Sequence, residues 1–149
     1  MDVVFKFEVD DDYPIPENGT ICNMKEYRYT FWDSQLKLLP NFIDSKAIDL
    51  LMLSLAVYGA DRMIVRKNAD DGWRRNIHIH LPVLNLQTMN DNKRQIKNIV
   101  DFLSGDEWTL SFRSRELTEE EKKHIEIVEK GKQLRINVKR ICMFSGGLD

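Results

Sequence analysis

Asn76-Ile77-His78-Ile79-His80-Leu81-Pro82-Val83, entered through Arg74 and Arg75, alternates apolar and polar side chains over most of its length. A period of two places Ile77, Ile79, Leu81 and Val83 on one face of a strand and His78 and His80 on the other. The stretch therefore predicts a half-buried strand over 74–83. The His-x-His spacing puts two imidazoles on one face, a geometry that metal sites use. No carboxylate or cysteine in sequence reach completes such a set, and the remaining histidine is His124. The two rings read as part of a solvated sheet face, with no metal site.

Working outward, Asp44-Ser45 caps a helix beginning near Lys46. From Ile48 to Val65 that helix is apolar on nearly every side, which predicts burial between the sheet and another layer. Asp61, Arg62 and Arg66 close it, and Asp61 is expected to pair with a neighbouring arginine. Downstream, Asn90 or Asp91 is the expected cap of a second helix carrying Ile96, Ile99, Val100 and Leu103. Gly105 stands at its C-terminus. Trp108, Leu110 and Phe112 alternate in a strand expected to run antiparallel to a neighbour, and Trp73 and Trp108 read as core anchors.

Val3, Phe5, Phe7 and Val9 alternate with Lys6 and Glu8 in an N-terminal strand. Asp10-Asp11-Asp12, Pro14, Pro16 and Gly19 then mark a solvated loop, although three successive carboxylates also suit a cation. Tyr27, Tyr29 and Phe31 form a candidate partner strand. Thr118 with Glu121 matches a capping box, while Ile125, Ile127, Leu134 and Ile136 around Lys130-Gly131 read as a hairpin. Residues 118–137 are expected as a short helical turn followed by that hairpin. The expected fold is α+β, an antiparallel sheet packed with two main helices in a domain over 1–137. A truncated Rossmann-like domain then contributes its first strand and the start of a phosphate loop at 138–149.

The 149 residues suffice for one well-buried domain, and a net charge of −2 gives no general attraction to nucleic acid or anionic lipid. Two distant cysteines make neither a zinc site nor a disulfide framework. Without a signal peptide or a membrane-length apolar run, a cytoplasmic protein is expected.

The C-terminal stretch is Ile141-Cys142-Met143-Phe144-Ser145-Gly146-Gly147-Leu148-Asp149. An apolar run ending in Ser-Gly-Gly-x-Asp reads either as a buried strand feeding a phosphate-gripping turn or as a strand with a Gly-Gly turn and a frayed end. In the first reading, Gly146 and Gly147 let a polyphosphate approach converging main-chain N–H groups. Ser145 adds a hydroxyl donor, and Asp149 serves as a magnesium ligand or a helix cap.

Ser145 to Asp149 resemble the first five positions of the Ser-Gly-Gly-x-Asp-Ser loop of the PP-loop ATP pyrophosphatase superfamily. Ala56-Val57-Tyr58-Gly59-Ala60-Asp61-Arg62, Val65-Arg66, Trp73-Arg74-Arg75, Leu81-Pro82-Val83 and Phe102-Leu103-Ser104-Gly105-Asp106-Glu107-Trp108 are similar to the N-terminal extension of 7-cyano-7-deazaguanine synthase-like (QueC-like) proteins. The likeness is to those of bacterial anti-phage defence operons, the QatC type, and it covers roughly residues 48–113 and 140–149. It implies a parent protein that binds ATP and Mg²⁺ through Ser145, Gly146, Gly147 and Asp149. Such a protein cleaves between the α- and β-phosphates, adenylates a carboxylate or amide oxygen and releases pyrophosphate. It also implies partner proteins from the same operon and, after Asp149, the rest of the ATP pocket and any cysteine-bound Zn²⁺. The chain is thus expected to be the front part of a larger ligase, without turnover of its own. The alternatives are a non-catalytic docking module of a defence complex and another PP-loop ligase, such as a tRNA-modifying enzyme. No catalytic residue is assigned before position 140.

Overall fold

The computed structural model describes residues 1–8, 10–24, 44–69 and 71–130, without the side chains of 124 and 127–130. Four strands form one sheet: β1 (Asp2–Lys6), β2 (Thr20–Asn23), β3 (Asn76–Val83) and β4 (Glu107–Ser114). Helix α1 (Ser45–Met63) precedes a 3-10 turn at Arg66–Asn68, α2 (Leu86–Ser104) links β3 to β4, and α3 (Glu119–Lys130) follows β4.

The strand order is β2-β1-β3-β4 and every neighbouring pair is parallel. This corrects the expected antiparallel α+β sheet: the described domain is α/β. The direction follows from the connection. A 19-residue helix between β3 and β4 carries the chain back to the starting end, so the two strands must enter from the same side. The clean alternation that pointed to an antiparallel sheet is real, but its cause is different. Parallel strands normally bury both faces and read as continuous apolar runs. Here one face is apolar, while the other carries mainly polar groups, many of them bonded to one another.

The pleat and register assign those faces. Val3 and Phe5 of β1, Ile77, Ile79 and Leu81 of β3, and Trp108 and Leu110 of β4 share one side, and all are buried. Against them pack Ile48, Met52, Leu53, Ala56 and Ala60 of α1 and Met89 of α2 in a single core. Asp2, Val4, Lys6, His78, His80, Ser111 and Arg113 lie on the opposite side. The β1–β2 connection crosses that opposite face, since Asp11 and Tyr13 make hydrogen bonds with Lys6, His80 and Arg113 there. A parallel crossover in the reverse direction along the sheet is expected to pass over the other face.

Local signals set the element ends. The Asp44 carboxylate accepts from the Lys46 N–H at 2.8 Å, as expected of a cap. Gly105 ends α2 in the left-handed conformation, φ 74°, which an L side chain rarely tolerates. Helix α2 starts well before Asn90. Its entry is held by the buried Asp49 of α1, whose carboxylate accepts from the Leu84 and Asn85 N–H groups, both at 2.7 Å. Helix α1 is also less enclosed than its composition predicts, for Leu50 and Tyr58 are more than half exposed. Residues 119–130 form one helix in place of a short turn and hairpin. The Glu121 carboxylate accepts from the Thr118 N–H at 2.8 Å, and the Thr118 hydroxyl accepts from the Glu121 N–H at 3.2 Å, a complete capping box. The strand proposed at Tyr27–Phe31, the hairpin residues beyond 130 and the domain boundary at 137/138 lie outside the described residues.

Candidate functional site

Register brings together what sequence distance separates. Asp2 pairs with His78 and Val4 with His80, so the Asp2 carboxylate, near the start of β1, sits beside both imidazoles. Its Oδ1 lies 2.9 Å from His78 Nδ1 and 2.9 Å from His80 Nε2. The outer nitrogens are also engaged: His78 Nε2 meets Ser111 Oγ at 2.7 Å, and His80 Nδ1 meets the Tyr13 hydroxyl at 3.1 Å. The two imidazole centroids are 3.9 Å apart, with planes inclined by 34°. His78 and His80 are therefore members of a half-buried cluster, which corrects the solvated-face expectation. Side-chain exposure falls from 30% at His78 and 28% at Asp2 to 9% at His80.

Electrostatics follow from this packing. The His80 hydrogen bond, helped by the charge of both histidines and of the N-terminal amine, outweighs burial and holds the Asp2 carboxyl below its ordinary range. Burial, with the neighbouring His80 and Lys93 charges, pushes His78 below the usual imidazole value despite the opposing Asp2. At neutral pH this is a carboxylate facing a neutral His78, a donor set suited to a divalent cation or to proton relay.

A second polar group stands at the carboxyl ends of the strands. Beyond β1 and β3, where the chain leaves towards β2 on one side and β4 on the other, a cavity of about 220 Å³ is lined by Phe7, Asp11, Pro82, Arg113, Arg115 and Thr118. Ligands of open α/β sheets favour such a switch point. The Arg113 guanidinium spans the Asp11 carboxylate, at 3.0 and 2.6 Å, and donates to the Phe5 carbonyl at 2.9 Å. Arg115 clasps Glu121 at 2.8 and 3.1 Å. Asp11 is thus a half-enclosed ion-pair member, in contrast to the solvated turn expected for the aspartate triplet. Each guanidinium lies over an aromatic ring, Arg113 over Tyr13 and Arg115 over Phe7. The Nε of each arginine is buried without a hydrogen-bond partner. With both charges matched by carboxylates, the cavity has little net attraction for an anion.

A third network lies at the amino ends of β3 and β4. Arg75 donates through Nε and Nη2 to Asp106, through Nη2 also to Asp61, and through Nη1 to the Asp61 and Ile64 carbonyls. Arg66 adds two bonds to Asp106 at 2.9 and 3.0 Å. The bonds of Arg75 engage all three of its nitrogens and tie the end of α1 to β3 and β4, so this network is structural. Asp61 does pair with an arginine, but the partner is Arg75, 14 positions on, in place of its neighbours Arg62 and Arg66. Burial alone would raise the Asp106 carboxyl, but the hydrogen bonds and charge of Arg75, with the charge of Arg66, hold it below its ordinary value. Trp108 is fully buried, as expected of a core anchor, whereas Trp73 is two-thirds exposed beneath Arg66.

Ser145, Gly146, Gly147 and Asp149 lie outside the described residues. Sequence reading missed Asp2, which stands 78 positions before His80. The available signal was parity: Asp2 shares the polar face of its strand with Lys6, and parallel pairing stacks that face beside His78 and His80. Among the described residues, no helix is long and apolar enough to cross a membrane. Comparison with protein-family models, with curated proteins and with solved structures finds no match.

Proposed function

We propose that the chain carries the nucleotide-gripping loop of a PP-loop ATP pyrophosphatase, with deazaguanine-type adenylating chemistry directed to anti-phage defence in the cytoplasm. The observation that carries this reading is the apolar run ending in Ser145-Gly146-Gly147-Leu148-Asp149. Its donor set fits a polyphosphate by chemistry: two glycines free of Cβ, a hydroxyl and a carboxylate for Mg²⁺. Bound ATP would supply the adenylyl group and pyrophosphate as leaving group. The main-chain N–H groups of Gly146 and Gly147 and the Ser145 hydroxyl would hold it and would stabilise charge on the departing phosphates. A parallel α/β sheet upstream supports the reading only as a compatible architecture.

The test is titration of the intact gene product with ATP and Mg²⁺, together with a pyrophosphate-release assay. Saturable ATP binding that Gly147→Val weakens by about tenfold or more, a loss of roughly 1.4 kcal/mol, supports the proposal. Absence of saturable nucleotide binding in the folded protein overturns it.

One observation favours a second reading, a docking module within a defence complex. Ile99, Phe102 and Leu103 of α2 and Leu50 and Tyr58 of α1 are all more than half exposed, and Phe102 reaches 87%. Of these, Tyr58 and Leu103 line one groove, and exposed apolar patches mark contact surfaces. Here Phe102→Asp should abolish co-purification with co-expressed operon proteins while leaving ATP titration unchanged. Retained co-purification removes that reading.

A further inference from the structure

The apolar alternation of β1 and β3 accounts for one face of the sheet and leaves the chemistry of the other unexplained. In a parallel sheet the second face is ordinarily filled by aliphatic side chains. At its centre this one places a carboxylate and two imidazoles, with their facing ligand atoms all within 4.8 Å of one another. We propose that Asp2, His78 and His80 form a binding site for a first-row divalent transition ion, with Asp2 Oδ1, His78 Nδ1 and His80 Nε2 as its three protein ligands.

Three features of the geometry carry this. First, an ion about 2.1 Å from each donor needs cis donors separated by about 3.0 Å in octahedral coordination and about 3.4 Å in tetrahedral coordination, so the octahedral spacing is the one to compare. The two measured oxygen–nitrogen separations are each 2.9 Å. Second, the nitrogens that would not bind the ion already face oxygens, His78 Nε2 on Ser111 and His80 Nδ1 on Tyr13. Metal-binding histidines are oriented in this way by a hydrogen bond from the other ring nitrogen. Third, serine and tyrosine hydroxyls can donate or accept. Where an inner ring nitrogen carries its proton towards Asp2, the hydroxyl can donate to the outer nitrogen. With an ion, each ring changes tautomer and its outer N–H donates to the hydroxyl oxygen. For a neutral imidazole this exchange needs no net proton release.

Two imidazoles and one carboxylate are the donor set of borderline divalent ions such as Zn²⁺, Co²⁺ or Fe²⁺, and they disfavour Ca²⁺ and Mg²⁺, which prefer all-oxygen sites. Three protein ligands leave at least one position open, and the partial exposure of Asp2 and His78 gives water or a small ligand a route to it. This site is independent of the phosphate loop, so its failure and that of the ATP reading are separable.

The experiment is titration of the full chain, free of any histidine tag, with Co²⁺ followed by visible absorption and with Zn²⁺ by calorimetry, in the absence of nucleotide. One ion per chain is expected. Asp2→Asn and His78→Gln, at partly exposed positions that preserve shape, should each weaken binding by tenfold or more, and Tyr13→Phe by about tenfold. His124→Gln and the pair Cys22→Ser with Cys142→Ser should leave affinity unchanged. Circular dichroism confirms that each variant is folded. His80→Gln is read only if it folds, because its ring is nearly enclosed. No binding in the folded wild type, equal affinity in wild type, Asp2→Asn and His78→Gln, or loss only in the cysteine variant would each overturn the site.

Discussion

The two faces of the sheet use the same strands for opposite purposes. On the helix-covered side, Val3, Phe5, Ile77, Ile79, Leu81, Leu110 and Trp108 are all at most 1% exposed and make up much of the hydrophobic core. On the other side, the same strands present Asp2, His78, His80, Ser111 and Arg113, held by bonds to one another and, at His80 and Arg113, to the β1–β2 connection. Apolar burial stabilises in proportion to area and needs no partner geometry. A buried polar cluster roughly breaks even at best, because desolvation offsets what its bonds return. The first face explains why the chain folds, and the second is where a specific chemistry is to be sought.

This contrast can be broken experimentally. The largest effects are expected on the core side and at its edge. Trp108→Ala should cost about 3–5 kcal/mol in urea unfolding by leaving a cavity against α2. Asp106→Asn should cost a similar amount, about 3–5 kcal/mol, because Arg75 would keep its burial and lose the buried one of its two charge partners, with only the half-exposed Asp61 left. Its pH dependence has a definite sign. A carboxyl whose folded pKa is depressed contributes stability above its unfolded value, near 3.9, and loses it as pH falls through the folded value. The difference between wild type and Asp106→Asn should therefore be full near pH 6 and shrink below about pH 4.

Effects on the polar face should be smaller. Replacing Asp2, His78 and His80 together, with Asp2→Thr, His78→Val and His80→Val, should cost about 1–2 kcal/mol, since removing both sides of the carboxylate–imidazole bonds is nearly neutral and only the Ser111 and Tyr13 hydroxyls lose a partner. The same triple variant should bind no Co²⁺. A loss comparable to that of Trp108→Ala would show that the cluster is a foundation of the fold. Away from both faces, Thr118→Ala should cost about 1 kcal/mol by removing the cap of α3, read as a lower urea midpoint. Smallest of all, Phe102→Ser should change stability by less than about 0.5 kcal/mol in urea unfolding, because the ring is exposed.

How legible each part was depended on the distance over which its cause acts. Gly105, Asp44 and the Thr118–Glu121 box were readable because a helix end is satisfied by residues within one turn. The start of α2 differs from the Asn90 or Asp91 expectation because Asp49, from another helix, holds the Leu84 and Asn85 N–H groups just ahead of Leu86. Asp11 looked like a solvated acidic turn because its partner, Arg113, lies 102 positions away. The histidine pair was dismissed as a metal candidate for want of a carboxylate, and the missing group was on β1.

From the sequence alone, the strands at β1, β3 and β4, the two principal helices and the sorting of side chains into an apolar and a polar set were determined, because periodicity is a property of the local backbone. Tertiary structure alone decided that the strands run parallel, that Asp106 gathers Arg66 and Arg75, and that Asp2 stands between two imidazoles. Those outcomes depend on how connections route the chain in space, and residues that converge across a sheet leave no periodic trace of their meeting.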